Sequence, residues 1–305
     1  MKNRNYEIPR CRICDADPKC QRVRASKVFG GRKEHNFWQC GECDGVYLFP
    51  IPSEDEEHYF YVQEFEKYMA KRSGDQGWTE PLAHIQANQH NVKRRWVFLE
   101  PHFRPGQDIL EIGCSSGFML NAFSDYGLNC VGVEPSGVFS DFLRANDYEV
   151  YHSLEELQDK STKQFDLIVH FFVLEHVRDP YSFFNQSFDL LKKRGKIIAE
   201  VPCVNDALTS LYRIPAFEEF YWSIAHHYYY SPKSLSYVLD KLGLNYEFSP
   251  EQRYDLSNHI VWMTEGKPGG QDRYSHIFST DLIEKYKNDL KANWICDTIF
   301  LYVYK

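Results

Sequence analysis

The segment 108–117 constrains the fold of this chain more than any other. Its first five residues form an apolar strand run, and Gly113 and Gly117 then bound a turn that opens a helix. Glycines in such a turn let the backbone approach a ligand closely and leave amide N–H groups pointing at it. Glu134 follows 21 residues after Gly113, at the end of the next apolar strand. A carboxylate there can accept hydrogen bonds from both hydroxyls of a ribose.

The spacing of the glycines separates two classes of cofactor. A dinucleotide-binding turn reads GxGxxG, whereas here Cys114 and Ser115 lie between two more widely spaced glycines. A pyrophosphate needs the closer approach that the missing glycine would allow. The turn therefore favours a cofactor with a ribose and no pyrophosphate. The alternative is a turn that only connects a strand to a helix.

Strands alternate with helices along most of the chain after residue 107. Apolar strand runs are predicted at 108–112, 130–134, 165–171 and 195–201, and helices at 116–126, 136–146, 181–193 and 233–243. This alternation predicts an α/β fold with helices crossing over between parallel strands. Two later predicted strands, 245–254 and 298–304, are separated by about 40 residues that include a predicted helix at 280–291. A connection of that length is usually functional.

The chain divides into three regions by residue composition and predicted secondary structure. We predict a metal-binding module at 1–52, a helical linker or lid at 53–100, and an α/β domain at 101–305 with insertions at about 203–231 and 255–295. Ser53 precedes four consecutive acidic residues, a pattern typical of a helix N-terminus. A break in the helical region is predicted at 73–77, where the sequence is rich in glycine and polar residues.

The N-terminal region contains two CxxC pairs, Cys11 with Cys14 and Cys40 with Cys43, separated by 25 residues. Zn²⁺ prefers four soft ligands in a tetrahedron, and two CxxC turns supply four thiolates. The pairs therefore predict a structural zinc site with no open coordination position. Metal binding would also stabilise a region too small to build much core. The alternatives are two unrelated cysteine pairs, or a site completed by Cys20 or His35.

Charge and composition disfavour several classes of partner. The net charge of −8 and the pI near 5.9 argue against an extended nucleic-acid or anionic-membrane surface. The first 33 residues are an exception, with ten Lys or Arg against three acids. No apolar run approaches the ~18 residues of a membrane span, and the N-terminus lacks an apolar leader. With an odd count of nine cysteines, the sequence predicts a cytoplasmic protein without a disulfide framework.

Three stretches together resemble class I methyltransferases: EIGCSSG at 111–117, the acid of VEP at 133–135, and 165–177. The resemblance is greatest to the group that places a zinc module before the catalytic domain and acts on sugars. It extends to EVP at 200–202, HHYYYS at 226–231 and DTIF at 297–300. It implies a Rossmann-like, mostly parallel seven-stranded sheet with an antiparallel terminal strand, and S-adenosylmethionine as cofactor.

The resemblance also implies roles for individual residues. The glycine turn would hold the methionine moiety, Glu134 the ribose, and the end of the fourth strand would flank the sulfonium. The implied cofactor contacts are Glu111, Gly113, Cys114, Ser115, Gly117, Glu134, Pro135, His170 and Phe171.

The sequence departs from this group at two positions. Many relatives have histidine where this chain has Phe172. The C-methyltransferases of the group have a Glu-His pair where this chain has Ala225 and His226. The loss of that acid shifts the expected acceptor from carbon towards oxygen.

Two histidines are candidates for the base that a hydroxyl acceptor requires. His226 is the first choice, because it lies in an aromatic-rich insertion that would face the sulfonium across the acceptor. His176 is the second, just past the fourth strand at the carboxyl edge where open α/β sheets bind ligands. Each could instead be a hydrogen-bonded structural residue. Tyr59, Tyr61 and Tyr68 could close the pocket from the other side.

The leading interpretation is O-methylation of a sugar, either nucleotide-linked or part of a glycan or natural product. The alternatives are C- or N-methylation of a similar sugar, RNA methylation, and a cofactor-binding scaffold without catalysis. Cations and glycines at 253–259 and 267–270 could meet a nucleotide diphosphate, or could form a solvated loop.

Overall fold

A seven-stranded sheet forms the centre of the computed structural model, which describes residues 8–73 and 80–305. The strands of the described residues are β1 (Gln21–Ala25), β2 (Asn36–Cys40), β3 (Val46–Phe49), β4 (Asp108–Ile112), β5 (Asn129–Val133), β6 (Glu149–Tyr151), β7 (Phe165–Phe171), β8 (Leu191–Pro202), β9 (Tyr228–Tyr229), β10 (Asn245–Glu251) and β11 (Thr298–Tyr304). The central sheet has the order β10-β11-β8-β7-β4-β5-β6.

The pairing of these strands matches the predicted fold class. The five strands from β4 to β8 pair in parallel, whereas β11 runs antiparallel to both of its neighbours, β8 and β10. The chain moves outwards from β4 in one direction through β5 and in the other through β7. Ligands of open α/β sheets bind at such a reversal of strand order, at the carboxyl ends of the strands.

The helices of the described residues are α1 (Glu54–Tyr59), α2 (Phe65–Ser73), α3 (Pro81–Ala87), α4 (Gln89–Leu99), α5 (Phe118–Tyr126), α6 (Gly137–Ala145), α7 (Leu154–Lys160), α8 (Pro180–Leu190), α9 (Ala207–Ser210), α10 (Pro215–Tyr221), α11 (Pro232–Lys241), α12 (Leu256–Glu265) and α13 (Thr280–Ala292). A π-helical turn, Phe60–Glu64, joins α1 to α2. No helix of these described ranges is long and apolar enough to cross a bilayer.

Alternating side chains of the strands supply two cores, one on each face of the central sheet. On one face, Ile109 and the other apolar side chains of the strands pack against α4, α5 and α6. Leu110 and its neighbours on the opposite side pack against α7, α8 and α11. A parallel sheet covered by helices on both faces explains why its strands read as continuous apolar runs.

Three sequence-based assignments need correction. The helix predicted at 181–193 ends at Leu190, because residues from Leu191 onwards already belong to β8 and Leu191 pairs with Phe165. The loop considered at 253–259 is largely helical, since Asp255 caps α12 and His259 is buried in it. β6 was not predicted, because a three-residue strand gives too short a pattern, and the short helix α7 that follows it was not predicted either. The break predicted at 73–77 lies almost wholly outside the described residues.

A second, antiparallel sheet has the order β1-β2-β3-β9. Its first three strands come from the N-terminal region, but β9 comes from the predicted insertion at 203–231. Val46 pairs with Tyr229 and Tyr47 with Tyr228. The two regions are therefore joined by backbone hydrogen bonds, while the division of the chain at 52 and 100 stays a prediction.

A buried ion pair fixes α4 against the central sheet. Glu200 of β8 is completely buried and accepts two hydrogen bonds from Arg94, at 2.7 and 2.9 Å, and one from Arg95 at 3.0 Å. Burial alone would raise the pKa of Glu200, but the two guanidinium charges outweigh it and lower the pKa to about 2. The carboxylate is therefore ionised wherever the protein is folded above that pH.

Replacing Glu200 with glutamine tests how much this ion pair contributes to the free energy of unfolding. Glu200→Gln leaves Arg95 buried without its counter-charge, so we expect the free energy of unfolding to fall by about 3–5 kcal/mol, measured by urea denaturation. Asp289→Asn, which removes an exposed helical pair with Lys285, should leave stability nearly unchanged. Because the folded pKa of Glu200 lies below its ordinary value of 4.5, the parent should lose more stability than the variant as the pH falls from about 5 to 2. Equal losses would contradict the assignment.

Candidate functional site

The glycine turn after β4 is shaped by left-handed backbone and close packing. Gly113 has φ +71° and Gly117 φ +81°. A Cβ on Gly113 would lie 2.5 Å from Cγ2 of Val173, and one on Gly117 2.4 Å from Cδ2 of Leu143. Both distances are too short for any other residue. The turn is therefore held directly against the loop that follows β7 and against α6.

Glu134 is held in a fixed orientation at the end of β5, beside this turn. One carboxylate oxygen accepts the backbone N–H of Ser115 at 2.7 Å, and the other accepts that of Ser136 at 2.8 Å. A carboxylate offers about four acceptor positions, and the two backbone amides set the direction in which this one points. Pro135, between these contacts, continues the loop into α6.

The other residues predicted at the turn are more deeply buried. Cys114 is 1% exposed, and its sulfur would be only 2.7 Å from a Cβ on Gly132. Glu111 is 2% exposed, and its Oε2 has no hydrogen-bond partner among the described residues. Burial raises the pKa of Glu111 well above its ordinary value. Both side chains belong to the interior under the turn, so any cofactor contact would have to come from the backbone at Cys114.

His84 of α3 was not singled out from the sequence, yet it lies over the start of α5. Its Nδ1 is 2.8 Å from the Ser116 hydroxyl, and its ring contacts those of Phe118 and Phe139 at 5.9 and 5.1 Å. The segment that the sequence predicts as a lid thus contacts the turn directly. A lone histidine in a helix carries no sequence signal for such a contact.

The two residues predicted to flank the sulfonium lie on opposite faces of the sheet. Phe171 faces α4, with the Arg95 guanidinium 4.2 Å from its ring centre. His170 is completely buried on the other face, its ring 5.3 Å from that of Phe183, and neither ring nitrogen has a hydrogen-bond partner among the described residues. Since side chains alternate along a strand, only Phe171 is on the face of the turn's helix. The placement of His170 does not support cofactor contact.

His176 and His226, distant in the sequence, form one cluster with Glu175, in which Glu175 and His226 are buried and His176 is half-buried. Their ring centres are 4.6 Å apart with an interplanar angle of 80°. Ligand atoms of all three residues lie within 4.8 Å of one another. Glu175 and His176 form a short helical turn after β7, and the backbone N–H of His227 donates to the Glu175 carbonyl at 2.7 Å. The cluster therefore lies at the carboxyl edge of the sheet.

Burial controls the protonation of this cluster. It lowers the pKa of His176 to about 4 and that of His226 well below its ordinary value, with smaller contributions from neighbouring cations. It raises the pKa of Glu175 to about 8. Both imidazoles are therefore neutral near pH 7. A neutral imidazole can accept a proton or bind a metal ion.

The segment after α1 covers this cluster. The Tyr61 hydroxyl lies 2.9 Å from His176 Nδ1 and 3.2 Å from the Ala225 carbonyl oxygen. The Tyr68 hydroxyl lies 2.6 Å from that of Ser223. Tyr59, in contrast, is 57% exposed. These tyrosines and Phe60 line a cleft of about 570 Å³ between the helical segment and the N-terminal module.

Arg253 and Lys267, which the sequence suggested as ligands of a diphosphate, form ion pairs with residues of the chain itself. Arg253 pairs with buried Asp297 at 3.4 Å and lies over the Phe172 ring at 4.6 Å. Lys267 forms an ion pair with Glu265 at the end of α12. Nothing in these contacts brings the two cations together.

The four cysteines of the CxxC pairs form a cluster with the dimensions of a zinc site. The sulfurs of Cys11 and Cys43 are 3.7 Å apart, and those of Cys14 and Cys40 are 3.6 Å apart. A tetrahedral site with Zn–S bonds of ~2.3 Å places its sulfurs about 3.8 Å apart. All four lie within 4.8 Å of one another. The donor set and spacing therefore fit zinc.

The backbone around the sulfurs is the same in both pairs. After each CxxC, an aspartate adopts a left-handed conformation, Asp15 with φ 58° and Asp44 with φ 59°. Backbone N–H groups donate to the sulfurs of Cys11 and Cys40 at 3.4 Å. The substitute ligands considered from the sequence are not part of the cluster, since Cys20 faces Glu42 and His35 accepts the N–H of Arg32.

Comparison with known proteins agrees with this geometry. The model of a family described as "Methyltransferase domain" matches residues 83–247. A tRNA U34 carboxymethyltransferase of Alteromonas mediterranea is 30% identical over 132 residues, which are 38% of this chain and 40% of that protein. A ubiquinone biosynthesis O-methyltransferase of a Ruegeria species is 25% identical over 167 residues, 52% of this chain and 66% of that one.

Solved structures agree on the fold. In the complex between the Haloferax volcanii Trm112 methyltransferase activator and a methyltransferase, a chain superposes with a TM-score of 0.50 at 16% identity, covering 80% of this chain and 96% of that one. Among curated proteins, the first matches span only about two fifths of the length of the relatives. The comparisons therefore establish a Rossmann-like class I methyltransferase fold and leave the acceptor open.

Proposed function

Because this chain belongs to the methyltransferase domain family, we propose that it transfers a methyl group from S-adenosylmethionine to a hydroxyl of a sugar. The observation that carries the proposal is the family match over 83–247, a range that contains the glycine turn, Glu134 and the whole histidine cluster. The turn amides hold the methionine part of the cofactor, and the Glu134 carboxylate holds the ribose hydroxyls.

The transfer is an in-line displacement that needs alignment and loss of a proton. The acceptor oxygen attacks the methyl carbon, the C–S bond breaks, and the electron pair stays on sulfur. A sugar hydroxyl is a poor nucleophile, so its proton must leave as the methyl group arrives. We place that event at the His176–His226 cluster, because Val173, two residues before Glu175, packs on Gly113.

The cleft beside the cluster suits a sugar acceptor. Its volume of about 570 Å³ lies within the usual range for small-molecule sites. Its aromatic side chains can stack on a sugar ring or base. Its charged lining is mixed, with Arg32, Lys67 and Lys71 beside Glu56, Glu57 and Glu64. The aromatic lining is therefore the feature that supports a sugar acceptor.

RNA is the second candidate acceptor, and one observation favours it. Similarity to tRNA U34 carboxymethyltransferases weakens the argument from net charge against nucleic acid. The basic excess of the first 33 residues is the only charge pattern that supports it. Measuring tRNA binding against salt separates the two, since phosphate contacts produce a steep loss of affinity with rising salt.

Carbon methylation gains support from the position of Glu175. The acid that C-methyltransferases of the resembling group carry next to the histidine is replaced by Ala225, but the Glu175 carboxylate lies within 4.8 Å of the same imidazole. The missing acid is thus a weaker argument for oxygen than the sequence suggested.

The Cys11, Cys14, Cys40 and Cys43 cluster is the proposed structural zinc site. The fit of the sulfur spacing to a tetrahedron supports this assignment. Four thiolates leave no position for substrate. The metal would stabilise the N-terminal sheet and, through β9, the segment that carries His226.

The cofactor assignment is tested at Glu134. Glu134→Ala should weaken binding of S-adenosylhomocysteine by about 1.5–3 kcal/mol, the usual contribution of hydrogen bonds to a charged group, measured by calorimetry. Asp159→Ala, an exposed carboxylate on α7, should bind like the parent. Equal affinity of Glu134→Ala and parent would remove Glu134 from the ribose site.

The acceptor site is tested by replacing the histidines. After a screen of nucleotide sugars for formation of S-adenosylhomocysteine, His226→Ala should lower turnover by roughly 10²–10⁴ with cofactor binding intact. His176→Ala should show a smaller loss. His90→Ala, an exposed histidine of α4, is the control. Near-parental turnover in both cluster variants would show that positioning alone carries the reaction.

The zinc assignment is tested at Cys40. Elemental analysis of the purified parent should find about one zinc at this cluster, and Cys40→Ser should lose that zinc and unfold at lower temperature, because the metal's binding energy contributes to folding. Cys20→Ser, half-exposed and outside the cluster, should keep both. A parent protein free of zinc when prepared without chelators would refute the site.

A further inference from the structure

Glu175 is a buried acid without a counter-charge in contact. It is 1% exposed, and neither of its carboxylate oxygens has a hydrogen-bond partner among the described residues. Buried charged or polar groups are normally paired, because leaving water without compensation is costly. The nearest candidates for pairing, His176 and His226, have atoms within 4.8 Å but make no hydrogen bond to it. One ion between the three groups could contact all of them, since their ligand atoms lie within 4.8 Å of one another.

The orientation of His176 shows which of its nitrogens is available. Its Nδ1 lies 2.8 Å from the Ala225 carbonyl oxygen, which can only accept, so Nδ1 carries the proton. The Tyr61 hydroxyl also donates to this carbonyl, at 3.2 Å. Nε2 of the neutral ring then carries the lone pair. Metal-binding histidines usually donate their other N–H to a carbonyl in this way.

His226 contributes a second nitrogen to the same space. Its Nδ1 is buried without a hydrogen-bond partner among the described residues. Its ring stands nearly perpendicular to that of His176, at 4.6 Å between ring centres. The ring is also fixed from behind by Tyr229, 4.9 Å away. Two neutral imidazoles and one carboxylate thus converge from separate parts of the chain.

We propose that Glu175, His176 and His226 bind a divalent cation with a coordination position open to the acceptor. Two imidazoles and a carboxylate are a common ligand set for zinc and other first-row transition metals, and three protein ligands leave room for a further oxygen. The cation would give the buried Glu175 carboxyl the partner that it lacks among the described residues and would favour its ionised form. The site is distinct from the four-cysteine cluster, which has no open position.

This inference rests on the proposed methyl transfer and assigns the cluster a more specific part in it. An acceptor hydroxyl bound to the cation would release its proton to water more readily, because a bound cation lowers the pKa of oxygen ligands. The oxygen would then form the new C–O bond as the C–S bond breaks and the electron pair remains on sulfur. His226 would act as a metal ligand in place of the predicted base.

The experiment measures metal binding independently of turnover. The parent, Glu175→Gln, His226→Ala and the exposed control His90→Ala are stripped with chelator, refilled with Co²⁺, and titrated. We expect about two Co²⁺ per chain in the parent and control, one with the strong thiolate absorption of the cysteine cluster and one without. The two cluster variants should keep the thiolate band. They should bind the other Co²⁺ at least 10-fold more weakly, because the loss of a ligand or of a group that supports one lowers metal affinity by at least that factor.

Two outcomes would overturn the proposal: one Co²⁺ per chain in the parent, or two in Glu175→Gln and His226→Ala with unchanged affinity. The retained thiolate band shows that the variants are folded. Binding of S-adenosylhomocysteine is measured on the same samples. Loss of cofactor binding in the parent would refute the methyl transfer, whereas normal cofactor binding with one Co²⁺ would refute the cation site alone.

Discussion

The backbone pairing between β3 and β9 determines where the second half of the candidate site lies. Tyr47 pairs with Tyr228, and the N–H of Leu48 donates to the His227 carbonyl at 2.9 Å. His226 directly precedes this stretch, so its position depends on a sheet whose other three strands belong to the N-terminal region. The cysteine cluster anchors that sheet at the end of β2, through Cys40. The cysteine cluster, the sheet pairing and the histidine cluster thus form one connected arrangement.

The central sheet contributes the other half by a separate route. β7 ends next to the glycine turn, and contact between Val173 and Gly113 keeps the two loops together. The buried pair of Glu200 with Arg95 holds α4 over the same edge of the sheet. The candidate site therefore lies where the core of the sheet, a covering helix and an inserted segment meet.

Features encoded by short local patterns could be predicted from the sequence. The turn at Gly113, the acid at Glu134 and the CxxC pairs each depend on spacing within a few residues, and the structure has them in the predicted elements. The environment of Glu175 could not be predicted, because the sequence does not show that its buried carboxylate oxygens lack hydrogen-bond partners among the described residues. The face that His170 takes could not be predicted, because it is set by packing against Phe183 of α8. The end of α8 was misplaced because pairing with β7 outweighs helical preference at Leu191.

The shared sheet has a consequence for how this architecture can change. A module that ended at residue 52 and shared no sheet with the rest of the chain could be exchanged between proteins as a unit. Here β3 would be left with an exposed edge, and the buried rings of Tyr228 and Tyr229 would lose their cover; such edges promote association between chains. Exchange of the N-terminal region alone would therefore require a new partner for β9, although about 150 residues separate the two segments in the sequence.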